Sequence, residues 1–396
     1  MAGTRNTTRR AVTFALIAVL SLACGDASAW KNVPFKERRV ERMPYNPQWV
    51  SVVKRGKLFK YKRKENASPR VHGDLVFVGS DGGYFYAMKK KNGAKEWRFK
   101  TTGPVNSAPA FWNHLVLFGD DDGRLYAVSI SDGKEAWRAE LGSEILSAPA
   151  VGNDRVYVAT SEGKIAALSP SDGHVLWEGG RKSEFTGRIQ MTIRGNASPA
   201  LDPSGDRLFV GYADGVVQCL SASGGKVLWE KALSKEKVAK GVNGFSGFND
   251  VDGTPLVDGD RLYVSTFDGG LFALAKQNGN VLWNRPEGSG VSLLATGDML
   301  VVAASSGHLT AYQKKDGTRL WDSPVGRGAL TAPVAYKDLI AVGLSDETMN
   351  FVDAEDGHVI ARRFAKKGIY SDPVVDEDRI YYLSNGGRLY SLRFVR

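Results

Sequence analysis

The chain of 396 residues is 42% hydrophobic and 24% charged, so it can bury a large core, and its 45 glycines, 17 Phe and 14 Tyr lean toward a turn-rich β protein. Its net charge of +10 falls to +7 when Arg5, Arg9 and Arg10 are set aside, and KRGKLFKYKRK at 54–64 alone holds seven basic residues and no acid, so the rest of the chain sums to zero. Basicity confined to one segment excludes a general nucleic-acid-binding surface.

The first 29 residues have the layout of an export signal: three arginines, then AVTFALIAVLSLA, 13 mostly apolar residues that are too few to span a bilayer. Two processing sites compete. SLAC, ending at Cys24, resembles the lipobox of lipid-modified chains, with Ser21 where a leucine is usual, and gives a signal of residues 1–23 and a tether of 24–45. Ala27-Ser28-Ala29 before Trp30 fits small-x-small cleavage and gives a signal of 1–29. TRRAVTF also resembles a twin-arginine export signal. With Cys24 acylated, no internal disulfide is possible, and VVQCLSA makes Cys219 a small core residue of a strand.

NPQWVSVV follows as a strand carrying Trp49 with no hairpin before it. The basic segment 54–64 comes next, a solvated loop or a contact for anionic headgroups or an acidic partner. From there one unit recurs: an apolar β run, a Gly-bearing turn, an aromatic run, and a tight turn leading to Trp. LVLFGDDDGRLYAVSISDGKEAWRAEL is the cleanest copy. Asn92-Gly93, Asp132-Gly133, Asp172-Gly173, Gly224-Gly225, Asn278-Gly279 and Asp316-Gly317 precede Trp97, Trp137, Trp177, Trp229, Trp283 and Trp321, and each dipeptide suits the positive φ of a two-residue hairpin. Each Trp falls in an outer strand, where its ring can wedge between neighbouring units.

A seventh copy keeps Asp356-Gly357 but has Ala361 at the Trp position, and an eighth, RIYYLSNGGRLYSLRFVR, lacks its last strand. The N-terminal strand supplies it, closing a ring without free sheet edges. The pattern therefore predicts an all-β fold, an eight-bladed β-propeller of four-stranded blades spanning 46–396.

Trp positions are spaced near 40 residues, but Trp49 to Trp97 is 48, Trp177 to Trp229 is 52 and Trp229 to Trp283 is 54. All three expansions follow an outer strand and precede the next inner strand, which sends RGKLFKYKRKEN, GGRKSEFTGRIQM and LSKEKVAKGVNGFSGFN to one rim.

Inner strands aligned on their Pro set Asp250 opposite Arg194 and Asp252 opposite Asn196 of the preceding blade. Other blades carry Pro104, Glu144, Gly328 or Gly368 at the first position and Asn106, Leu146, Leu330 or Tyr370 at the second. Opposite charges on adjacent strand mouths invite an ion pair between Arg194 and an aspartate. That pair either staples two blades or, with apolar Met191 and Ile193 beside Arg194 in QMTIRG, belongs to a partner-binding surface. No third ligand completes a metal site around the aspartates. His72, His114, His174, His308 and His358 occupy turn positions that other copies fill with unrelated residues, which argues for solvated histidines, and no nucleophile elbow, phosphate loop or zinc signature is present. The residues point to no catalytic group, no metal and no cofactor.

The DGKEAW-type repeat resembles the tryptophan-docking repeat of pyrroloquinoline-quinone propellers. With TIRGNASP, FNDVDGTP and the Trp-less blade ending GHVIARRF, the chain resembles the BamB family, lipoproteins of the β-barrel assembly (Bam) machinery, over essentially its whole mature length. The resemblance implies a non-enzymatic scaffold on the periplasmic face of the outer membrane, lipid-anchored through Cys24 or else soluble, which docks to POTRA domains of BamA and assists outer-membrane protein clients. Carried over residue by residue, Met191, Ile193, Arg194, Asp250 and Asp252 are the partner-binding residues. Two other readings stand beside it. One is a propeller serving another cell-envelope complex. The other is a quinoprotein dehydrogenase, against which the chain offers no vicinal cysteine pair.

Overall fold

The computed structural model describes residues 43–53, 65–181, 197–233, 250–267 and 269–395. Cys24, the segment 54–64, Met191, Ile193 and Arg194 lie outside the described residues. All regular structure among the described residues is β-strand, arranged as eight four-stranded antiparallel sheets. We number the blades 1 to 7 in chain order, spanning 70–100, 110–140, 150–180, 200–232, 256–285, 294–324 and 334–364. Blade 8 takes three strands from 374–394, and its fourth is Tyr45–Val52, which pairs antiparallel with Arg388–Phe394. The sheet thus joins the two ends of the propeller, and the Val395 N–H donates to the Pro44 carbonyl at 3.0 Å.

Blade 2 shows why these residues make these strands. Its second and third strands, Leu115–Gly119 and Arg124–Ser129, are buried almost throughout, because neighbouring blades cover both of their faces. Such strands read as continuous apolar runs rather than alternating ones. The outer strand Glu135–Glu140 is covered only in part, and there exposure alternates around buried Trp137. Side chains from adjacent blades meet in eight successive clusters; Leu117, Leu125 and Trp137 of blade 2 pack with Val156, Val158 and Ala166 of blade 3.

The tryptophans tie blade to blade. Seven indole N–H groups each donate to a backbone carbonyl in the hairpin between third and fourth strands of the next blade, at 2.8–3.2 Å. The ring lies flat against that hairpin's glycine, so that a Cβ added at Gly93, Gly133, Gly173, Gly225, Gly279, Gly317 or Gly357 would come within 2.4–2.8 Å of it. Glycine is required there twice over, by the close approach and by φ of 69–77°.

The hairpin itself differs from the expected two-residue turn. Lys89 and Ala94 bond across residues 90–93, and the Gly93 N–H also donates to the Lys89 carbonyl, making a four-residue loop in which only the glycine has positive φ. Asn92 instead turns its side-chain oxygen to the Ala94 N–H at 3.0 Å, and Asp132, Asp172, Asn278, Asp316 and Asp356 repeat the contact two residues on. The Asx residue is selected for that side-chain bond, not for a left-handed backbone. True two-residue turns occur between first and second strands, as at Asn153-Asp154, where φ is 52° and 51°.

Ala361 now has a physical reason. A tryptophan there would face blade 8, the blade whose fourth strand comes from the N-terminus and which therefore has no third-to-fourth hairpin to receive it. The space holds Tyr45, stacked on Phe351 at 4.7 Å, and Phe394, stacked on Tyr336 at 4.1 Å, in one cluster with Ala361. Ala361→Trp therefore overpacks the seam and is expected to destabilise the propeller by about 1–3 kcal/mol in a denaturant melt. A more stable variant would contradict this account of the missing ring.

Strand order fixes one further point. In every blade the first strand starts, and the fourth strand finishes, on the face that carries the turn between second and third strands. Described residues beside each of the three long connections bond to such turns: Val53 to Gly387, Glu65 to Asn385, Arg181 to Gly163, Leu233 to Gly215 and Val251 to Tyr212.

Candidate functional site

Asp250 and Asp252 head the inner strand of blade 5, whose regular part is Leu256–Asp258. The segment is extended, so alternation sends Val251 one way and the two acids the other. Val251 is fully buried among Ala197, Phe209, Cys219 and Val264, filling the space between blades 4 and 5. Its N–H donates to the Tyr212 carbonyl of blade 4 at 3.1 Å, and the Phe267 N–H donates to the Asp250 carbonyl at 3.0 Å. Gly253 then passes so close to blade 6 that a Cβ would lie 2.5 Å from the Val291 carbonyl, and the Thr254 N–H donates to Ser292 Oγ at 3.2 Å. Backbone bonds on three sides thus hold the pair of carboxylates in place.

The two acids differ in setting. Asp250 is only 5% exposed, whereas Asp252 is half-buried beside Gly290 of blade 6, where a Cβ would stand 3.8 Å from Asp252 Oδ2. In blades 2 and 3 the corresponding polar groups bond within their own blade. Asn106 Nδ2 donates to both Asp121 oxygens at 3.0 and 2.9 Å, and Ser161 Oγ donates to Glu144. Leu330 is simply buried between blades 6 and 7. A buried carboxylate with a second two residues on is peculiar to blade 5 among the described strand mouths. The expected ion pair with Arg194 lies outside the described residues, as do Met191 and Ile193.

The other singled-out groups are placed as follows. Cys219 is fully buried in the cluster between blades 4 and 5, and burial pushes its thiol up to about 11, so at neutral pH it stays protonated and unreactive. His72, His114 and His174 are exposed. His308 departs from the expectation of a solvated turn residue: it opens a third strand, is half-buried, and its Nδ1 lies 3.0 Å from Asp322 Oδ2, while His358 is also half-buried. Among the described residues no three His, Cys, Asp or Glu side chains gather as a metal ion would require.

Comparison with known proteins follows the same lines. The family model described as outer membrane protein assembly factor BamB matches residues 46–129, 110–323 and 305–394. The outer membrane protein assembly factor BamB of Shewanella oneidensis is 29% identical over 201 residues, half of each chain, so the chain spans about half the length of the curated relatives it matches. The crystal structure of BamB from Moraxella catarrhalis superposes with a TM-score of 0.71 at 22% identity, covering 87% of this chain and all of that one. A europium-containing methanol dehydrogenase superposes with a TM-score of 0.69 at 14% identity, covering 88% of this chain and 93% of that one, so the propeller alone does not choose between an assembly factor and an enzyme.

Proposed function

The chain belongs to the BamB family of outer membrane protein assembly factors, and on that premise we propose that it is a non-enzymatic scaffold at the periplasmic face of the outer membrane. It docks to the POTRA domains of a BamA-like protein and assists the folding and insertion of outer-membrane β-barrels. The observation that carries the docking reading is the carboxylate pair of blade 5, one member buried, on the face where the flanks of all three long connections gather. A charged group withdrawn from water at the mouth of a strand is a feature of specific recognition surfaces more than of solvated rims. Asp250 and Asp252 then act with Arg194, Met191 and Ile193 as the contact.

A photo-crosslinking residue tests the face directly. Pro286 and Gln277 are both exposed on blade 5, the first after the outer strand and the second in the hairpin between third and fourth strands, so they stand on opposite faces. In the host's own envelope, the 286 probe gives an adduct with the BamA-like protein and the 277 probe gives none. Equal labelling, or labelling from 277 alone, sinks the assignment.

The anchor we propose is a lipid on Cys24. One acyl signal alone holds a chain to a bilayer weakly, so lipidation by more than one chain, or added contact with a partner, is what keeps it there. Cys24→Ala is expected to move the protein from the membrane to the soluble fraction. Unchanged fractionation with no lipid on the native protein would assign cleavage after Ala29 instead.

A further inference from the structure

Where the outer strand ends in seven of the eight blades, the next residue donates its N–H to the turn between second and third strands of its own blade; in blade 5 that residue is Pro286, which has no N–H. Val53, Thr101, Leu141, Arg181, Leu233, Val325 and Ala365 all make this bond. Six of the seven are buried and uncharged. The seventh, Arg181 of blade 3, reaches across to blade 4 instead.

Its Nε donates to Asp214 Oδ2 and its Nη1 to Glu230 Oε1, both at 2.8 Å, with the Asp214 side chain only 10% exposed. The contact continues inward. Gln218 Nε2 donates to the other Glu230 oxygen at 2.6 Å, and the Tyr212 hydroxyl donates to Gln218 Oε1 at 2.8 Å. Asp214 Oδ1 accepts the Val216 N–H at 3.3 Å, closing the turn that begins at Tyr212. Tyr212 is the residue whose carbonyl carries Val251, between the two aspartates. A guanidinium on blade 3 is therefore linked through blade 4 to the carboxylate pair of blade 5. Lysine could not make the same grip, because only the planar fork of arginine serves two carboxylates in fixed directions.

We infer that Arg181 is a positioning residue for the docking surface: gripping Asp214 and Glu230, it fixes the Tyr212 turn and so the placement of Asp250 and Asp252 toward a protein partner. The inference rests on the docking reading above. It makes Arg181 matter to the partner without touching it.

The test uses the mature chain, residues 24–396 with Cys24→Ala, and the periplasmic domains of the host's BamA-like protein as the probe. Arg181→Leu places the residue that blades 2 and 4 already hold there, but leaves two partly buried acids without their cation. Arg181→Leu with Asp214→Asn and Glu230→Gln removes that charge imbalance and restores the wild-type melting temperature. Both variants are expected to bind about tenfold more weakly, the size of coupling usual for neighbours in one network, and Arg181→Lys to fall between them and wild type. A folded triple variant that binds within about twofold of wild type overturns the inference. If that happens while Arg194→Glu abolishes binding, the positioning role alone fails. If Arg194→Glu also binds as wild type, or folded wild type does not bind, the docking reading fails and this inference with it.

Discussion

A mature chain lacking residues 46–53 melts roughly 10 °C below wild type, the largest stability effect expected from any short deletion. The strand makes the outer edge of blade 8, paired with Arg388–Phe394 from Val52 back to Asn46 with one register shift between Trp49 and Pro47. Its Trp49 packs on Tyr381 at 5.9 Å, donates to the Lys90 carbonyl at 3.0 Å and covers Gly93, while Ser51 Oγ donates to the Gly93 carbonyl. Blade 1 therefore loses its only indole lid together with blade 8's outer strand. Removing a packed Trp costs about 3–5 kcal/mol by itself, and at about 2 cal/mol/K of unfolding entropy per residue a propeller of this size shifts by only 1–2 °C for each kcal/mol. The lost ladder supplies the remainder, and the bared edge of Arg388–Phe394 is left open to pairing with other chains. Differential scanning calorimetry reads the shift; a melting temperature within a degree or two of wild type would mean that this strand does not close the ring.

The fold was legible because a propeller repeats its constraints. An outer-strand tryptophan, usually four residues after the glycine of a hairpin, recurs in every blade that has a following hairpin to cover, and its absence at 361 marks the place where the N-terminal strand joins blade 8. The turn type was misread because Asn and Asp serve two purposes in turns, a left-handed backbone or a side-chain acceptor, and composition alone does not separate them. His308 was misread for a related reason: the glycine before it suggests a solvated turn, but Asp322 on the neighbouring strand lies against both His308 and Thr310, two residues on.

The acids of the candidate site were legible in the sequence, and what supports them was not. Asp250 and Asp252 stand out because no other blade carries acids at both of those positions. Nothing in the sequence says that Asp250 is buried, since that depends on how closely Phe267 and the neighbouring blades approach. Arg181 was read as part of a polar connection, GGRKSEFTGRIQM. The available signal was its place four residues after Trp177, where Val53, Thr101, Leu141, Leu233, Val325 and Ala365 follow their own tryptophans or Ala361, and Glu287 follows Trp283. A charge at a position that is otherwise apolar in most copies needs a partner, and here that partner lies on another blade.

Charge reversal at Arg194 is the second large expectation, and it concerns binding rather than stability. Arg194 aligns opposite Asp250 in the preceding blade, and the docking reading gives its guanidinium to the contact with the BamA-like partner. If the aligned pairing holds, Arg194→Glu removes one cation and brings a third carboxylate toward two, one of them buried, where like charges are poorly screened. The fold should tolerate the change, because Arg194 falls in an expansion of the sequence between two copies of the repeat, so the melting temperature stays near wild type. Affinity is expected to fall at least 100-fold, about 3 kcal/mol, as is usual when one member of a desolvated charge pair is reversed.

Isothermal titration of the mature chain against the periplasmic domains of the host's BamA-like protein, wild type beside Arg194→Glu, tests the central claim most directly. Saturable binding by wild type, lost in a variant that melts at the wild-type temperature, is the result this account predicts. Folded wild type that does not bind, or a variant that binds as wild type does, would contradict it and return Asp250 and Asp252 to the role of a staple between blades.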